Sequence, residues 1–134
     1  MGTQAAAQQR NVETVQNLFE AFETGDLATL QSLFDRDASL AAAPAGVLPG
    51  NCTGRSAILE YVMRLKSETN GTFKAVPTVM ATFGDRVFVQ LKATAQRGDA
   101  TIASSAVLVV TVDRKIRKIE QYFSDYAGYA RFFS

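Results

Sequence analysis

Histidine, which most often transfers protons and binds metals in proteins, is absent from this sequence. Its 134 residues include no histidine and a single cysteine, Cys52, so Ser–His and Cys–His nucleophile pairs and an internal disulfide are excluded. Without histidine, the commonest metal ligand, we expect no metal site and no cofactor. The segment DASLAAAPAGVLPG, residues 37–50, carries no acid, base or amide after Asp37. Acid–base chemistry would therefore depend on the remaining carboxylates, tyrosines and amides.

Among the carboxylates, Asp37 is the candidate general base. Asp35 and Asp37 follow a predicted helix, at a position where acidic side chains commonly stabilise a turn or face solvent. Of the two, we consider only Asp37 as a possible base. Glu60 lies off the apolar stripe of its helix, so we expect it to be exposed. Asp125 leaves the last predicted strand and is expected to cap a turn.

Gln121 and Tyr61 are the polar candidates for a buried site. Alternation along the final strand predicts Ile119, Gln121 and Phe123 on the inward face. A buried amide without partners costs about 1–3 kcal/mol, so Gln121 is either a structural hydrogen-bonding group or a ligand contact, and it is also a weak catalytic candidate. Tyr61 is either a core residue or the side chain that closes a cavity with its hydroxyl at the mouth.

The composition is that of a soluble globular domain. With 47% hydrophobic residues, 20% charged residues and a net charge of +1, the chain has no electrostatic reason to bind nucleic acid or an anionic membrane. The one basic cluster, DRKIRK at 113–118, is interpreted as the solvated edge of a hairpin. No signal sequence or apolar run of membrane-spanning length is found, so we expect a cytoplasmic protein.

Apolar residues at helical spacing predict three helices in the first half of the chain. A polar, Ala-rich extension at 1–10 precedes them and is expected to be flexible or helical. Between the second and third helices we expect a short strand at 38–42, followed by a loop rich in glycine and proline. The expected helices run from Asn11 to a stop at Gly25, from the cap Asp26 to Phe34, and from Gly54 to the Asn70–Gly71 stop signal.

From residue 72 the apolar period changes to two, which predicts four strands joined by hairpin turns. Gly84–Asp85 and Gly98–Asp99 suit turns that require positive φ, and Asp113–Arg114 is a weaker third turn. Four consecutive strands linked in this way form an antiparallel meander, so the fold class is α+β, with helices on one face of the sheet. The expected strands run over 72–83, 86–97, 100–112 and 115–124.

The strand faces predict a homodimer. Over 86–97 an apolar face, which must contact the helices, alternates with a polar face. Over 100–112 both faces are apolar, with Val107 and Val109 on the outer one. The chain has no spare helix to cover that outer face, so a second copy of the chain is the economical partner. We therefore expect two protomers to pack sheet to sheet.

Four strings occur in a characteristic order: FEAFETGDLATLQSLFDRDASL (19–40), GRSAILEYVMRL (54–65), NGTF (70–73) and KIEQYFSDYAGYARFFS (118–134). Together they resemble the nuclear transport factor 2-like superfamily, in its SnoaL-like, ketosteroid-isomerase-related branch. The resemblance covers one domain, residues 11–134. It implies a cone-shaped α+β barrel with three N-terminal helices packed on a curved antiparallel sheet around an internal apolar cavity. It also implies dimers formed through the outer sheet face.

The resemblance extends poorly to the catalytic set of the ketosteroid isomerases. That set comprises a tyrosine on the first helix, a general-base aspartate at the end of the first strand and a protonated acid on the penultimate strand. At the matching positions this sequence has Leu18, Ala42 or Ala43, and Leu108. The base and both donors for an enolate oxygen are therefore missing, and ketosteroid isomerisation is not expected.

The catalytic residues of two other enzyme branches of the superfamily are also poorly matched by this sequence. Limonene-type epoxide hydrolases use an Asp–Arg–Asp arrangement, and the matching positions here are Leu91, Ala93 and Gln121. Polyketide cyclases of this type use an acid in the cavity as a base, and many have a histidine near the first strand. This chain has no histidine, and Asp37 is the only candidate base.

Three functions remain open from the sequence. The first, which we favour, is a protein that binds a small apolar molecule in its cavity. The second is a SnoaL-like enzyme, such as a polyketide or terpenoid cyclase or an isomerase, in which Gln121 and Tyr61 orient an apolar carbonyl substrate and Asp37 acts as base. The third is a structural domain whose side chains fill the cone. The expected ligand-binding residues are Leu18, Phe22, Leu40, Ala42, Tyr61, Leu91, Ala93, Leu108, Gln121 and Phe123.

Overall fold

The computed structural model describes the backbone of residues 2–134 and the side chains of residues 4–134. Within that range, four helices and six strands build an α+β fold. The helices are α1 (Gly2–Thr24), α2 (Leu27–Leu33), α3 (Arg55–Glu68) and α4 (Tyr126–Phe132). The strands are β1 (Phe34–Ala41), β2 (Cys52–Thr53), β3 (Lys74–Phe83), β4 (Arg86–Arg97), β5 (Ala100–Asp113) and β6 (Lys115–Phe123).

The N-terminal helix is longer than its apolar pattern predicts. Residues 2–10 of the predicted extension continue α1 without a break, and Met1 lies outside the described residues. The helix ends where expected, because Gly25 adopts a φ of +72°. Asp26 then caps α2 by accepting a hydrogen bond from Thr29 N at 3.1 Å. None of the described helices is both long and apolar enough to cross a bilayer.

β3 to β6 form the antiparallel meander that the sequence predicts. Gly84 and Gly98 each have a φ of +60°, and Arg114 has a φ of +65°. All three predicted turns therefore use the left-handed conformation, which costs glycine nothing and strains an arginine. The two glycine hairpins and the Arg114 turn set the registers of the four long strands.

The complete sheet is larger than the predicted meander. Its strand order is β2-β1-β6-β5-β4-β3, and β1 runs parallel to β6. β1 begins at Phe34, so the expected limits of the second helix and of the first strand were both wrong. The prediction of a four-stranded sheet was also too small, because the pairing of Leu40 with Ile119 joins segments that are distant in sequence and leave no shared local pattern.

Strand alternation places the two faces of the curved sheet as predicted. Val87, Val89 and Leu91 are buried on the concave side, whereas Gln90 and Lys92 are exposed on the outer side. On the concave side, α1 packs on β3 and β4, and α3 packs on β1. The helices and the curved sheet together form the cone-shaped α+β barrel.

The loop that follows β1 holds the C-terminal segment. Val47 N donates a hydrogen bond to Phe133 O at 2.8 Å, and the Tyr126 hydroxyl donates to Pro44 O. Gly46, with a φ of +57°, lies against the same backbone, where a Cβ atom would collide with the carbonyl of Phe133. This loop therefore stabilises the C-terminal segment, a role that its sequence, which lacks polar side chains, did not predict.

Candidate ligand-binding cavity

The candidate site is a cavity of about 100 Å³ on the concave side of the sheet, which we call the central cavity. Its walls come from α1, α3, α4 and the inner sheet face, and its described lining contains no Asp, Glu, Lys or Arg side chain. The lining residues are Leu18, Phe19, Phe22, Phe34, Leu40, Ile58, Tyr61, Val62, Leu65, Phe73, Ala75, Leu91, Ala93, Ala106, Leu108, Ile119, Gln121, Phe123 and Tyr129.

α3 supplies one wall because its apolar residues recur at helical spacing. Ile58, Tyr61, Val62 and Leu65 lie three or four positions apart, which places them on one face of the helix. All four are buried and line the central cavity. Tyr61 is only 3% exposed, so its hydroxyl lies in the interior and not at a mouth.

The sheet supplies the opposite wall through residues that face one another in register. Leu91 on β4 pairs with Ala106 on β5, which pairs with Phe123 on β6. In the neighbouring row, Leu108 pairs with Gln121. Because directly opposite residues of an antiparallel pair share a face, these side chains meet on the concave side. The small side chain of Ala106 leaves room between its larger neighbours.

Three polar side chains stand together in this apolar surrounding, and we call them the polar cluster: Tyr61, Gln121 and Tyr129. The Tyr61 hydroxyl donates a hydrogen bond to Gln121 Oε1 at 3.5 Å. Tyr129 lines the same cavity and lies close enough to affect the pKa of Tyr61. The cluster thus brings together side chains of α3, β6 and α4.

Burial keeps both tyrosines of the cluster protonated. It raises the pKa of Tyr61 to about 12, while the interactions with Tyr129 and Gln121 act in the opposite direction. Burial, and after it the neighbouring Tyr61, raises the pKa of Tyr129 even further. Neither phenol can therefore serve as a general base near neutral pH.

Aromatic packing fixes Tyr129. Its ring stacks on Phe123, with centroids 3.9 Å apart and an interplanar angle of 21°, and it meets the edge of Phe133 at 5.0 Å. Asp125 caps α4 by accepting a hydrogen bond from Gly128 N at 3.0 Å, which positions the short helix that carries Tyr129.

The wall between α1 and β3 separates the central cavity from an outer groove. Phe19, Phe22, Phe73 and Ala75 line both spaces. Phe22 and Phe73 pack edge to face, with centroids 5.9 Å apart, and Lys66 Nζ lies 4.7 Å above the Phe22 ring. The same four side chains therefore border both the central cavity and the outer groove.

The predicted site residues fall into two groups. Apart from Ala42, all the expected ligand-binding residues line the central cavity: Leu18, Phe22, Leu40, Tyr61, Leu91, Ala93, Leu108, Gln121 and Phe123. Ala42 is buried outside it, because its N–H leaves the sheet and donates to Asn51 Oδ1 at 3.0 Å. Asp37 is exposed and lies outside the lining, with its N–H donating to Asp35 Oδ1 at 2.9 Å.

Tyr129 is a cavity residue that the sequence analysis did not single out. It lines the central cavity together with Tyr61. The signal for its position was the cap residue Asp125 followed by aromatic residues, which starts the helix α4. Glu60 is exposed, as predicted, and Cys52 is buried outside the cavity lining.

Acidic and sulfur ligands do not gather anywhere in the described chain. No group of three or more His, Cys, Asp or Glu residues suited to a metal ion is found within it. The chemistry available at the central cavity is therefore burial of apolar surface together with hydrogen bonding by two phenols and one amide.

The chain belongs to the SnoaL-like domain family, whose model matches residues 15–119. The resemblance seen in the sequence is thereby confirmed. A search among curated protein sequences found no significant match.

Solved structures show the same fold. Bal32a, from a soil-derived mobile gene cassette, is 31% identical over 96% of this chain and 99% of that chain, with a TM-score of 0.91. An NTF2-like protein from Burkholderia xenovorans LB400 is 25% identical over 94% and 97%, with a TM-score of 0.80. A putative polyketide cyclase from Sinorhizobium meliloti is 21% identical over 82% and 94%, with a TM-score of 0.69. The nuclear transport factor 2-like fold is thus shown.

Proposed function

We propose that this SnoaL-like protein binds a small apolar molecule in the central cavity without transforming it. The observation that carries the proposal is a cavity of about 100 Å³ whose described lining is apolar except for three uncharged polar side chains. An apolar molecule that moves from water into such a site gains roughly 25 cal/mol for each Å² of apolar surface buried. The site has this driving force and few polar groups to oppose it.

The lack of a usable base favours binding over acid–base catalysis. A general base must lie within hydrogen-bonding reach of the proton that it removes, and Asp37 is exposed and outside the cavity lining. The two phenols of the polar cluster hold their protons, because burial raises the pKa values of Tyr61 and Tyr129. This chain lacks the catalytic residues of ketosteroid isomerase and limonene epoxide hydrolase. These observations support the proposal that it has no other acid–base residues in their place.

The alternative function is that of a SnoaL-like enzyme acting on an apolar carbonyl compound. The observation in its favour is that the polar cluster provides hydrogen-bonding groups inside an apolar site, as an enzyme of the cyclase or isomerase type needs for orienting its substrate. Such catalysis would proceed by holding a reactive conformation, since the described lining offers no carboxylate. Turnover of a carbonyl substrate that survives Asp37→Asn and is lost on Gln121→Leu would support this alternative.

The size of the cavity sets the size of the first probes. An engineered apolar cavity of about 150 Å³ stays dry and binds benzene. The central cavity is somewhat smaller, so rings of about six heavy atoms are suitable first probes.

Benzene binding tests the proposal. At ten times its Kd, we expect benzene to raise the free energy of unfolding by about 1.4 kcal/mol, which thermal unfolding over a series of benzene concentrations measures. We also expect benzene to give saturation-transfer NMR signals with the protein. Ala93→Leu adds three carbons inside the cavity and should abolish both effects. Ala28→Leu makes the same change at an exposed site on α2 and is the matched control. A wild-type protein that binds neither benzene nor any other apolar ring would overturn the proposal.

A further inference from the structure

We propose that the seam between α1 and β3 binds an extended peptide segment of another protein, in which lysine or arginine alternates with apolar residues. The segment pairs with the open edge of β3 and places its basic side chains beside carboxylates of α1. This interaction goes beyond the proposed function and is independent of what the central cavity binds. Three features of the described chain carry it: a strand edge without a partner, an apolar groove beside that edge, and a row of carboxylates outside any salt bridge.

β3 is a long strand with a neighbour on one side only. It lies at one end of the six-stranded sheet and pairs with β4 alone, and no other backbone hydrogen bond of the described chain reaches it. An antiparallel strand directs about half of its N–H and C=O groups to each side, so the outer groups of β3 have no strand partner. None of its ten residues is fully buried. The edge is therefore open to an added strand.

An apolar groove follows this edge between β3 and α1. The outer groove shares Phe19 and Pro77 with a second depression on the same seam. The two depressions form one channel, which we call the edge groove, and it runs from Phe73 at one end to Val12 and Met80 at the other. At about 3.3 Å per residue, the strand covers about 23 Å between Phe73 and Met80. The edge groove therefore suits about seven residues of extended chain.

α1 borders the edge groove with a row of carboxylates. Glu20 and Glu23 line the groove, and Glu13 lies one turn before the groove residue Gln16 on the same side of the helix. All three carboxylates are exposed, and none of them takes part in a salt bridge within the described chain. Lys74 is the only charged residue of β3. The carboxylates outnumber it three to one, so this seam has an excess of negative charge.

Shape and charge together define the occupant of the edge groove. A chain extended alongside β3 turns alternate side chains toward α1 and toward the outer sheet face. A lysine or arginine turned toward α1 covers Phe19 with its aliphatic stem and reaches Glu20 or Glu23 with its cationic end. An apolar residue at the alternate positions lies beside Val76, which is 56% exposed. A segment of alternating basic and apolar residues matches both sides of the edge.

Two features of the edge restrict which chains can pair with it. Pro77 has no N–H, and the register between β3 and β4 shifts between Pro77 and Val79. Proline and bulges at a sheet edge discourage indiscriminate pairing. A second copy of this chain is also disfavoured, because pairing two β3 edges would bring two rows of α1 carboxylates together, and like charges at an interface repel. The charge of the seam therefore favours a basic partner over another copy.

Strand pairing is tested with a synthetic peptide of about eight residues in which lysine and valine alternate, and with two N-methylated forms of it. One form is methylated on every lysine nitrogen of the backbone and the other on every valine nitrogen. Only one of these two sets faces β3 in an added strand, so one form should bind the wild-type protein at least about tenfold more weakly than the other in fluorescence anisotropy. Equal binding of the two forms, or no binding of the parent peptide, would overturn the proposal.

Charge reversal locates the peptide on α1. The double variant Glu20→Lys, Glu23→Lys should raise the Kd of the parent peptide about tenfold at about 0.15 M salt, where charges more than about 8 Å apart are largely screened. Glu60→Lys with Asp99→Lys makes the same change in net charge at exposed sites outside the groove and should raise the Kd less than about twofold. Equal effects of the two double variants would contradict binding at the seam.

Hydrogen exchange separates a basic peptide from a second copy of the chain. The parent peptide should slow the exchange of outward-facing amides of β3 in the wild-type protein. Protection of these amides that grows with protein concentration in the absence of peptide would mean that another copy occupies the edge, and the proposal would be wrong. The peptide comparison and the exchange measurement use the wild-type protein, so they decide alone if a charge-reversal variant does not fold.

Discussion

At the scale of single residues, Tyr61 shows what stabilises a polar group in the interior. The Tyr61 side chain is 3% exposed, its hydroxyl donates to Gln121 Oε1, and Tyr129 lines the same cavity. A buried hydroxyl without partners costs about 1–3 kcal/mol, so the Tyr61 hydroxyl depends on Gln121. The same burial favours the neutral phenol over the phenolate, which ties the protonation of Tyr61 to folding.

The raised pKa of Tyr61 predicts weaker folding in alkali. In the unfolded chain a tyrosine ionises near pH 10, whereas in the folded protein burial raises the pKa of Tyr61 to about 12. Between these values the folded state binds more protons than the unfolded state, so the free energy of unfolding falls as the pH rises. The contribution of Tyr61 to this fall is up to about 3 kcal/mol. Urea unfolding from pH 9 to 12 measures it.

The assignment to Tyr61 is checked by comparing two hydroxyl deletions. Tyr61→Phe should make the dependence on pH between 10 and 12 clearly shallower. Tyr122→Phe removes an exposed hydroxyl that donates to Glu120 and should change the slope less, because a phenolate at that position remains hydrated. Equal slopes in wild type and Tyr61→Phe would contradict the burial of this hydroxyl.

At the scale of elements, α4 and the loop after β1 hold each other in place. Val47 N donates to Phe133 O at 2.8 Å, and Arg97 Nη1 donates to Ser134 O at 2.6 Å and to Phe132 O at 3.2 Å. These bonds occupy carbonyl groups at the end of α4, which would otherwise lack intrahelical partners. The helix that carries Tyr129 into the cavity is therefore held by a loop and a strand distant in sequence.

Gly46 is the position in this contact where a larger residue should be most harmful. Gly46→Ala would both require an alanine at a φ of +57° and bring a Cβ atom against the Phe133 carbonyl. Gly84→Ala requires nearly the same conformation, at a φ of +60°, with no atom within 4 Å of the added carbon. We expect Gly84→Ala to cost about 1–2 kcal/mol for the backbone alone and Gly46→Ala clearly more, in urea unfolding. Equal losses would contradict the close packing of the loop on the C-terminus.

At the scale of the whole molecule, the outer sheet face is the main surface without a partner. Strand pairing places Val79, Gln90, Val107 and Tyr122 in one row across β3 to β6. Val79 is 55% exposed, Val107 38% and Tyr122 56%, so two valines and a tyrosine of this row are open in the single chain beside the polar Gln90. We propose that a second protomer covers this face, because two copies of a sheet face can bury such exposed apolar side chains against one another in a two-fold arrangement.

A charge at the centre of this face should separate the protomers. We expect the wild-type protein to sediment as a dimer at micromolar concentration and Val107→Glu to sediment as a monomer, because burying an unpaired carboxylate is strongly unfavourable. Thr101→Glu puts the same charge on the same face of β5, about 20 Å along the strand, and should remain dimeric. A wild-type protein with the mass of one chain would count decisively against the proposal.

Local patterns account for most of the predicted elements and for most of the candidate cavity. Helical spacing places Ile58, Tyr61 and Leu65 on one face, and alternation places Leu91 and Gln121 on the concave side. These predictions hold because a side chain's direction within a helix or strand depends on nearby backbone geometry. The position of Asp37 was less predictable, because it lies between Phe34 and Ser39, where the pairing of β1 with β6 shifts register and strict alternation fails.

By itself, the sequence determined the fold family, the long strands and their turns, the apolar character of the concave side and the absence of histidine. These properties follow from residue types and short-range periods. Only the tertiary structure decided that β1 joins β6 in parallel, that Ala42 leaves the sheet and that Tyr129 lines the same cavity as Tyr61 and Gln121. Each of these depends on contacts between segments far apart in the chain, and such contacts are selected by the packing of the whole core and not by any local pattern.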